Sequence, residues 1–320
     1  MTDKAEKRNT LLYTQPATDW HEALPLGNGR IGAMVYGGDV QERIDLNEDT
    51  IWSGRPSDEE GFKVRETIDD VRRLLRERQY SAADALTNEM TGSHDTESYQ
   101  MAGSLYLDFP GDGDASDYVR TLDLGHGAAT TRFEQGGVAY RRESFVSAPH
   151  QVLAMRLSAD KGGAISFRLS MDSQMRSENC AKGEALVLQG QCPYNNHSRG
   201  PAGEDTIIWE QDGLGGIQYV VKVKAVTTGG TCHAADNGLH VTGADEVILL
   251  LTTKTGFQRW DQAPSDDVVA LEAECDRLLV AAETAGWDGL AAAHRDDFSA
   301  LYNRVSLDLS ATDDRPTDAL

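Results

Sequence analysis

Two segments of this chain alternate between apolar and polar side chains with a period of two. In the first, Ile165, Phe167, Leu169 and Met171 are interleaved with Ser166, Arg168 and Ser170. In the second, Ile217, Tyr219, Val221 and Val223 are set against Gln218, Lys222 and Lys224. Successive side chains of a strand point to opposite faces, so each run predicts a strand with one face buried and the other wet. Similar runs recur from Gly103 to about Thr253, punctuated by turn residues: Leu105 to Leu107 before Pro110-Gly111, Tyr118 to Leu124, and Thr130 to Gln135 joined through Gly136-Gly137 to Val138 to Val146. Val247 to Leu251 is continuously apolar, which predicts a strand covered on both faces. Many antiparallel strands with little helix between them predict a mainly β fold, a large two-sheet antiparallel β-sandwich.

Two regions break that period. Between about 62 and 90, Val64, Ile68, Val71 and Leu75 fall on one helical face with Asp69 and Arg73 beside it. Ser81 with Asp84 then has the spacing of a capping box, and Gly92 closes the segment. This predicts a helical pair inserted among strands. From Ser265 the chain turns helical again. Ser265 is the expected cap, Leu271, Cys275, Leu278 and Ala282 line one face up to Gly286, and a second helix follows from about Asp288 to Asn303. The expected organisation is a β-sandwich over 1–258 and helical linker residues over 259–320.

Composition narrows the partners. With 52 acidic and 30 basic residues the formal charge is −22, and no basic stripe is present, which argues against nucleic acid and anionic membranes. Met1 to Thr10 lacks the apolar core of a signal peptide and no apolar run reaches 18 residues, so a cytoplasmic protein without a membrane span is expected. Cys180, Cys192, Cys232 and Cys275 form no C-x-x-C pair, and the histidines show no ligand spacing. Neither a disulfide framework, a metal site nor a cofactor is expected. The polar, turn-rich loop Gln191 to Asp205 reads as a surface loop, with Asn196-His197-Ser198 matching a glycosylation sequon.

The densest set of special residues runs from Trp20 to Pro56. Leu26-Gly27-Asn28-Gly29-Arg30 predicts a tight turn, Ile31 to Tyr36 and Glu42 to Leu46 a hairpin closed by Gly37-Gly38, and Asn47-Glu48-Asp49-Thr50 a polar run at a strand end, where sites commonly lie. The segment Pro16-Ala17 through Met34 and the segment Leu46 through Gly54 both resemble glycoside hydrolase family 95, the α-L-fucosidases. Tyr99-Gln100 with Gly103 and Leu105-Tyr106-Leu107 is similar to a third segment of that family, although Met101-Ala102 and Ser104 depart from it. Tyr140 to Ser147, and His294, Phe298, Leu301 and Tyr302, are similar to further segments.

The resemblance implies an amino-terminal domain whose whole enzyme removes terminal L-fucose from oligosaccharides with inversion. The acid and base would lie in a helical (α/α)₆ catalytic domain that this chain lacks, so no catalytic residue is assigned to it. Asn47, Glu48, Asp49, Trp52, Arg55, Trp20, His21 and Gln100 are the substrate-binding or barrel-interface candidates. In the functional reading Trp52 stacks on a sugar while Glu48 or Asp49 bonds its hydroxyls. In the structural reading Asn47 and Asp49 bond turn backbone, Glu48 pairs with Arg55 or Arg43, Trp52 plugs the domain interface and Trp20 is packed. The alternatives are a stand-alone carbohydrate-binding β-sandwich without catalysis, and a sandwich that does sugar chemistry itself through a facing His and carboxylate.

Overall fold

A computed structural model of the protein describes residues 9–56, 64–87, 90, 97–111, 115–196, 207–307 and 315–319. Two antiparallel sheets face each other. From edge to edge, the larger has nine strands: Thr10–Tyr13, Ser116–Asp123, Ala128–Gln135, Val138–Ser147, Val152–Ala159, Glu246–Thr255, Gln218–Thr228, Ala185–Gln191 and Arg176–Lys182. The smaller has seven: Thr231–Ala235, Gly238–Ala244, Ile165–Asp172, Gly103–Asp108, Gln41–Glu48, Ile31–Val35 and Leu24–Gly27. The expected sandwich is therefore the observed one.

One continuous core fills the space between the sheets. Ile165, Phe167, Leu169 and Met171 enter it from one side, and Tyr219, Val221, Val223, Val247, Leu249 and Leu251 from the other. Each such side chain contributes about 1.5–3 kcal/mol on burial. The core also contains an inter-sheet ion pair. Glu42 is fully buried, accepts from the Gly37 amide at 2.7 Å, and meets Nη1 of Arg142 at 3.1 Å. Arg142 stacks on Phe109, 4.0 Å from guanidinium carbon to ring centroid, and bonds the Gly38 and Asp39 carbonyls. Burial pushes the Glu42 carboxyl up and the Arg142 guanidinium down, and their mutual attraction opposes both shifts.

Helices α1 (Val64–Arg76) and α2 (Tyr80–Thr87) form the inserted pair, between the strands Gln41–Glu48 and Gly103–Asp108. Their apolar stripe is only partly covered, since Val71 is buried while Val64 and Leu75 are exposed. Arg73 pairs with Asp70 and Glu77, and Asp69 pairs with Arg72, in place of the expected Asp69 to Arg73 contact. Ser81 lies inside α2, which begins one residue earlier, so it is not the cap. Gly92 and the segments 88–89, 91–96 and 197–206 lie outside the described residues.

The carboxy-terminal helix α3 (Val268–Tyr302) breaks where expected, at Gly286, whose φ of 65° and ψ of 171° suit glycine alone. Its cap is Asp267, which accepts from the Ala270 amide, rather than Ser265. A second correction concerns what α3 covers. Leu279, Ala282 and Leu290 pack on Phe145, Val152, Ala154 and Leu250, on the outer face of the nine-stranded sheet. That explains why Val247 to Leu251 is apolar on both faces. It also dries the face expected to be wet around Lys222, whose ammonium is buried between Glu272 at 2.7 Å and Asp276 at 2.8 Å.

Candidate functional site

The polar motif is built from its backbone outward. Leu24–Gly27 is an edge strand, a position that accepts Pro25 because no ladder bond is needed from it. Asn28 and Gly29 then turn the chain: Asn28 Oδ1 accepts from the amides of Arg30 and Ile31 at 3.0 and 2.7 Å, and Gly29 takes a φ of 89°. The turn also reaches the opposite sheet. Asn28 Nδ2 donates to the Ser147 carbonyl at 3.0 Å, and the Arg30 guanidinium to the Thr253 carbonyl at 2.7 Å and to Gln151 Oε1 at 2.5 Å. The glycine-rich motif thus fastens the two sheets together at one end of the sandwich.

Glu48 ends its strand inside that fastening. It is buried, accepts from the amide and hydroxyl of Thr50 at 2.7 Å each, and lies 3.4 Å from Arg30 Nη1. Its ion partner is therefore Arg30; Arg43 is bound to Asp45 and Arg55 to Asp266. Burial raises the Glu48 carboxyl above its ordinary range, and the two Thr50 bonds partly offset this. Thr50 Oγ1 meets Thr255 Oγ1 at 2.5 Å, and Thr255 Oγ1 accepts from the Phe257 amide at 3.3 Å. Through this chain of contacts Glu48 couples two loops, 49–56 and 257–264.

Those loops wall a cleft of about 300 Å³, lined among others by Asp49, Trp52, Arg55, Glu97, Phe257 and Trp260. Trp52 is fixed in place: its indole N–H donates to the Asp49 carbonyl at 3.0 Å, and its ring lies 5.2 Å from that of Tyr99. It is nonetheless 41% exposed. Gly54 closes against Glu97 with a φ of 85°, where an added Cβ would come within 2.3 Å of the Glu97 side chain. Glu97 accepts from Ser53 Oγ at 2.5 Å. Arg55 donates to the Gly215 carbonyl and to both carboxylate oxygens of Asp266, tying this wall to the start of α3.

The second wall is a pinched loop. The Gly256 amide donates to the Gln218 carbonyl and the Ser265 amide to the Gly256 carbonyl, both at 2.7 Å. An added Cβ on Gly256 would come within 2.0 Å of the Ser265 carbonyl oxygen, so only glycine allows the neck to close. Arg259 and Gln262 bridge across the loop and Arg259 pairs with Asp261, leaving Trp260 at the tip with 80% of its surface exposed.

The structure sorts the candidates. Asp49, Trp52 and Arg55 line the cleft. Asn47, Glu48 and Gln100 do not: Asn47 pairs opposite Gly32, Glu48 holds the turn, and Gln100 is buried with its amide on the Ile51 carbonyl and its side chain on Ser98. Trp20 and His21 lie apart from the cleft lining, on a short turn capped by Asp19, and Trp20 is half exposed rather than packed. Sequence reading missed Glu97, Phe257 and Trp260. The signal for Trp260 was present as a tryptophan in a polar Arg-Trp-Asp-Gln turn.

A larger cleft of about 540 Å³ lies between the nine-stranded sheet and the second half of α3. Within it Glu143 binds Arg141 and Arg156, and the Arg156 guanidinium stacks on Trp287 at 4.6 Å. No cluster of three His, Cys, Asp or Glu side chains able to hold a metal is present among the described residues. None of their helices is long and apolar enough to cross a membrane.

Residues 11–260 match the family model described as Glycosyl hydrolase family 65, N-terminal domain. The chain is 32% identical to "Alpha-L-fucosidase 2" of Arabidopsis thaliana over 96% of its own length and 37% of that protein's. It is 25% identical to "Probable alpha-fucosidase A" of Aspergillus niger over 93% of its length and 37% of the relative's. Among solved structures, "Putative kojibiose phosphorylase from human microbiome" superposes with a TM-score of 0.51 at 8% identity, covering 92% of this chain and 39% of the other, a likeness of fold. The chain therefore spans well under half the length of these relatives.

Proposed function

This chain belongs to the glycosyl hydrolase family 65 N-terminal domain family, and we propose that it is the amino-terminal domain of an α-L-fucosidase-like enzyme of glycoside hydrolase family 95. In this reading residues 1–258 are the sandwich and 259–320 lead into a helical catalytic domain. The carrying observation is the alignment of nearly the whole chain with about a third of an α-L-fucosidase. The substrate is an oligosaccharide bearing terminal L-fucose, and no cofactor takes part.

The division of labour follows from what the cleft contains. Inverting glycoside hydrolysis needs an acid and a base about 6.5–9.5 Å apart on opposite faces of the sugar. Among the carboxylates lining this cleft, Glu97 is committed to Ser53, which leaves Asp49 without a second group of matching role. The acid and base are accordingly assigned to the helical domain, and this domain supplies a wall of the site. Asp49, Trp52 and Arg55 face the glycan; Asn47, Glu48 and Gln100 hold that wall from behind. Trp20 and His21, exposed and outside the cleft, are assigned to contact with the helical domain.

The test is hydrolysis of an aryl α-L-fucoside and of 2′-fucosyllactose by the purified chain, with a full-length relative as positive control. The chain alone is expected to show no turnover. Turnover that survives repurification and disappears on Asp49→Asn would overturn the assignment and place a complete site inside the sandwich.

A further inference from the structure

The cleft holds an arrangement that a supporting wall does not require. Trp52, Phe257 and Trp260 all line it, with 41%, 43% and 80% of their surfaces exposed. A large aromatic left open to water forgoes the burial that normally stabilises it, and several converging on one concavity mark a binding surface. The two tryptophans are presented differently. Trp52 is locked by its bond to the Asp49 carbonyl and its packing on Tyr99, and so forms a fixed face. Trp260 stands at the tip of a loop whose neck is pinched by the Gly256 bonds, and so forms a face on a short lever.

The polar groups indicate what fits between them. Asp49 and Glu97 carboxylates, the Arg55 and Arg259 guanidiniums and the Gln262 amide share the lining with the aromatic faces. Among the described residues no hydrogen-bond donor reaches the Asp49 carboxylate, which is exposed and available as an acceptor. A ligand that offers an apolar C–H face to a ring and hydroxyls around its rim matches this set, and a pyranose does both. The volume of about 300 Å³ lies at the lower end of small-molecule sites, as suits one or two sugar rings.

From this we infer that the cleft is an aromatic clamp that holds a pyranose ring of a glycan between Trp52 and Trp260, and that it does so in this chain without the catalytic domain. The inference rests on the proposed function only for the identity of the sugar as L-fucose or its neighbour in a fucosylated glycan. The clamp itself rests on both tryptophans lining one cleft. The Thr50–Thr255 contact joins the two walls.

The test is an NMR titration of the 320-residue chain that follows the five tryptophan indole N–H signals, with L-fucose, 2′-fucosyllactose, lactose and D-glucose as separate ligands. At least one sugar is expected to produce a saturating shift at millimolar concentration, confined to the signals of Trp52 and Trp260, with Trp20, Trp209 and Trp287 unmoved. Trp260→Ala, at an exposed loop tip, should leave the melting curve unchanged and weaken binding about tenfold; Trp20→Ala should change neither the melting curve nor binding. Binding of D-glucose with none of L-fucose, lactose or 2′-fucosyllactose would uphold the clamp while removing the fucosyl substrate from the proposed function. Absence of a saturable shift with all four sugars, or shifts that persist in the Trp52→Ala/Trp260→Ala double variant, would overturn the clamp.

Discussion

At Glu48 the forces that build the site can be separated. Burial raises its carboxyl, so the folded state binds the proton more tightly than the unfolded chain does. The associated stability is complete below the ordinary glutamate range and is lost as pH rises through the folded value. Glu48→Gln keeps an acceptor for Thr50 and removes that ionisation, so thermal melts should show it within about 1 kcal/mol of the parent, gaining on the parent between pH 5 and pH 8. Glu48→Ala removes both Thr50 bonds and should cost about 1–3 kcal/mol. If the two variants melt alike at both pH values, Glu48 does not hold the turn through its oxygens. The buried Glu42–Arg142 pair offers a sharper contrast. Glu42→Ala leaves a guanidinium unpaired between the sheets and should cost about 3–5 kcal/mol by urea unfolding, a loss that Glu42→Leu/Arg142→Met should largely recover. The thiols supply a control on burial: Cys192 and Cys275, both buried and pushed up to about 12, should resist modification at pH 8 until the chain unfolds, while exposed Cys180 reacts at once.

Among the elements, α3 shows how sequence pattern and tertiary context divide the explanation. Its break at Gly286 could be read from the sequence because the apolar spacing stops at a glycine. Gly286→Ala meets no neighbouring atom, so its cost is purely that of the backbone, about 1–3 kcal/mol in a differential melt. A cost near zero would mean that the helix relaxes into a continuous form. His294 adds a pH dependence to the second half. Its ring stacks on Phe145 at 4.7 Å and Nε2 lies 2.8 Å from the His126 carbonyl, and burial lowers its pKa. Because the folded value is depressed, this stability is present above about pH 6.5 and lost as pH falls. Amide protection factors in 287–302, corrected for the intrinsic exchange rate at each pH, should fall between pH 7 and pH 5 in the parent and much less in His294→Phe. The strands were legible for a simple reason: a period of two encodes which face is dry. Lys222 was not, because a lysine on an alternating strand reads as wet unless the helix that covers it is known to dock there with Glu272 and Asp276.

For the molecule as a whole, local chemistry reached the site's frame but not its mouth. The motif from Asn28 to Arg30 was readable as a turn, yet its bonds to Ser147, Gln151 and Thr253 cross between sheets and have no signature in local spacing. Trp52 and Trp260 are more than 200 positions apart in the chain, so their convergence on one cleft is a property of the fold. In the proposed function this chain is one wall of a fucosidase site, and sugar held by the isolated chain would not by itself distinguish that from a stand-alone binding module. Replacing the matched segment of the Arabidopsis α-L-fucosidase with this chain separates the two. Hydrolysis of 2′-fucosyllactose should return in the chimera relative to the enzyme lacking the segment, with KM raised and kcat little changed by Trp260→Ala. A chimera that folds, melts cooperatively and yet shows no turnover would contradict the assignment of this chain as the amino-terminal half of such an enzyme.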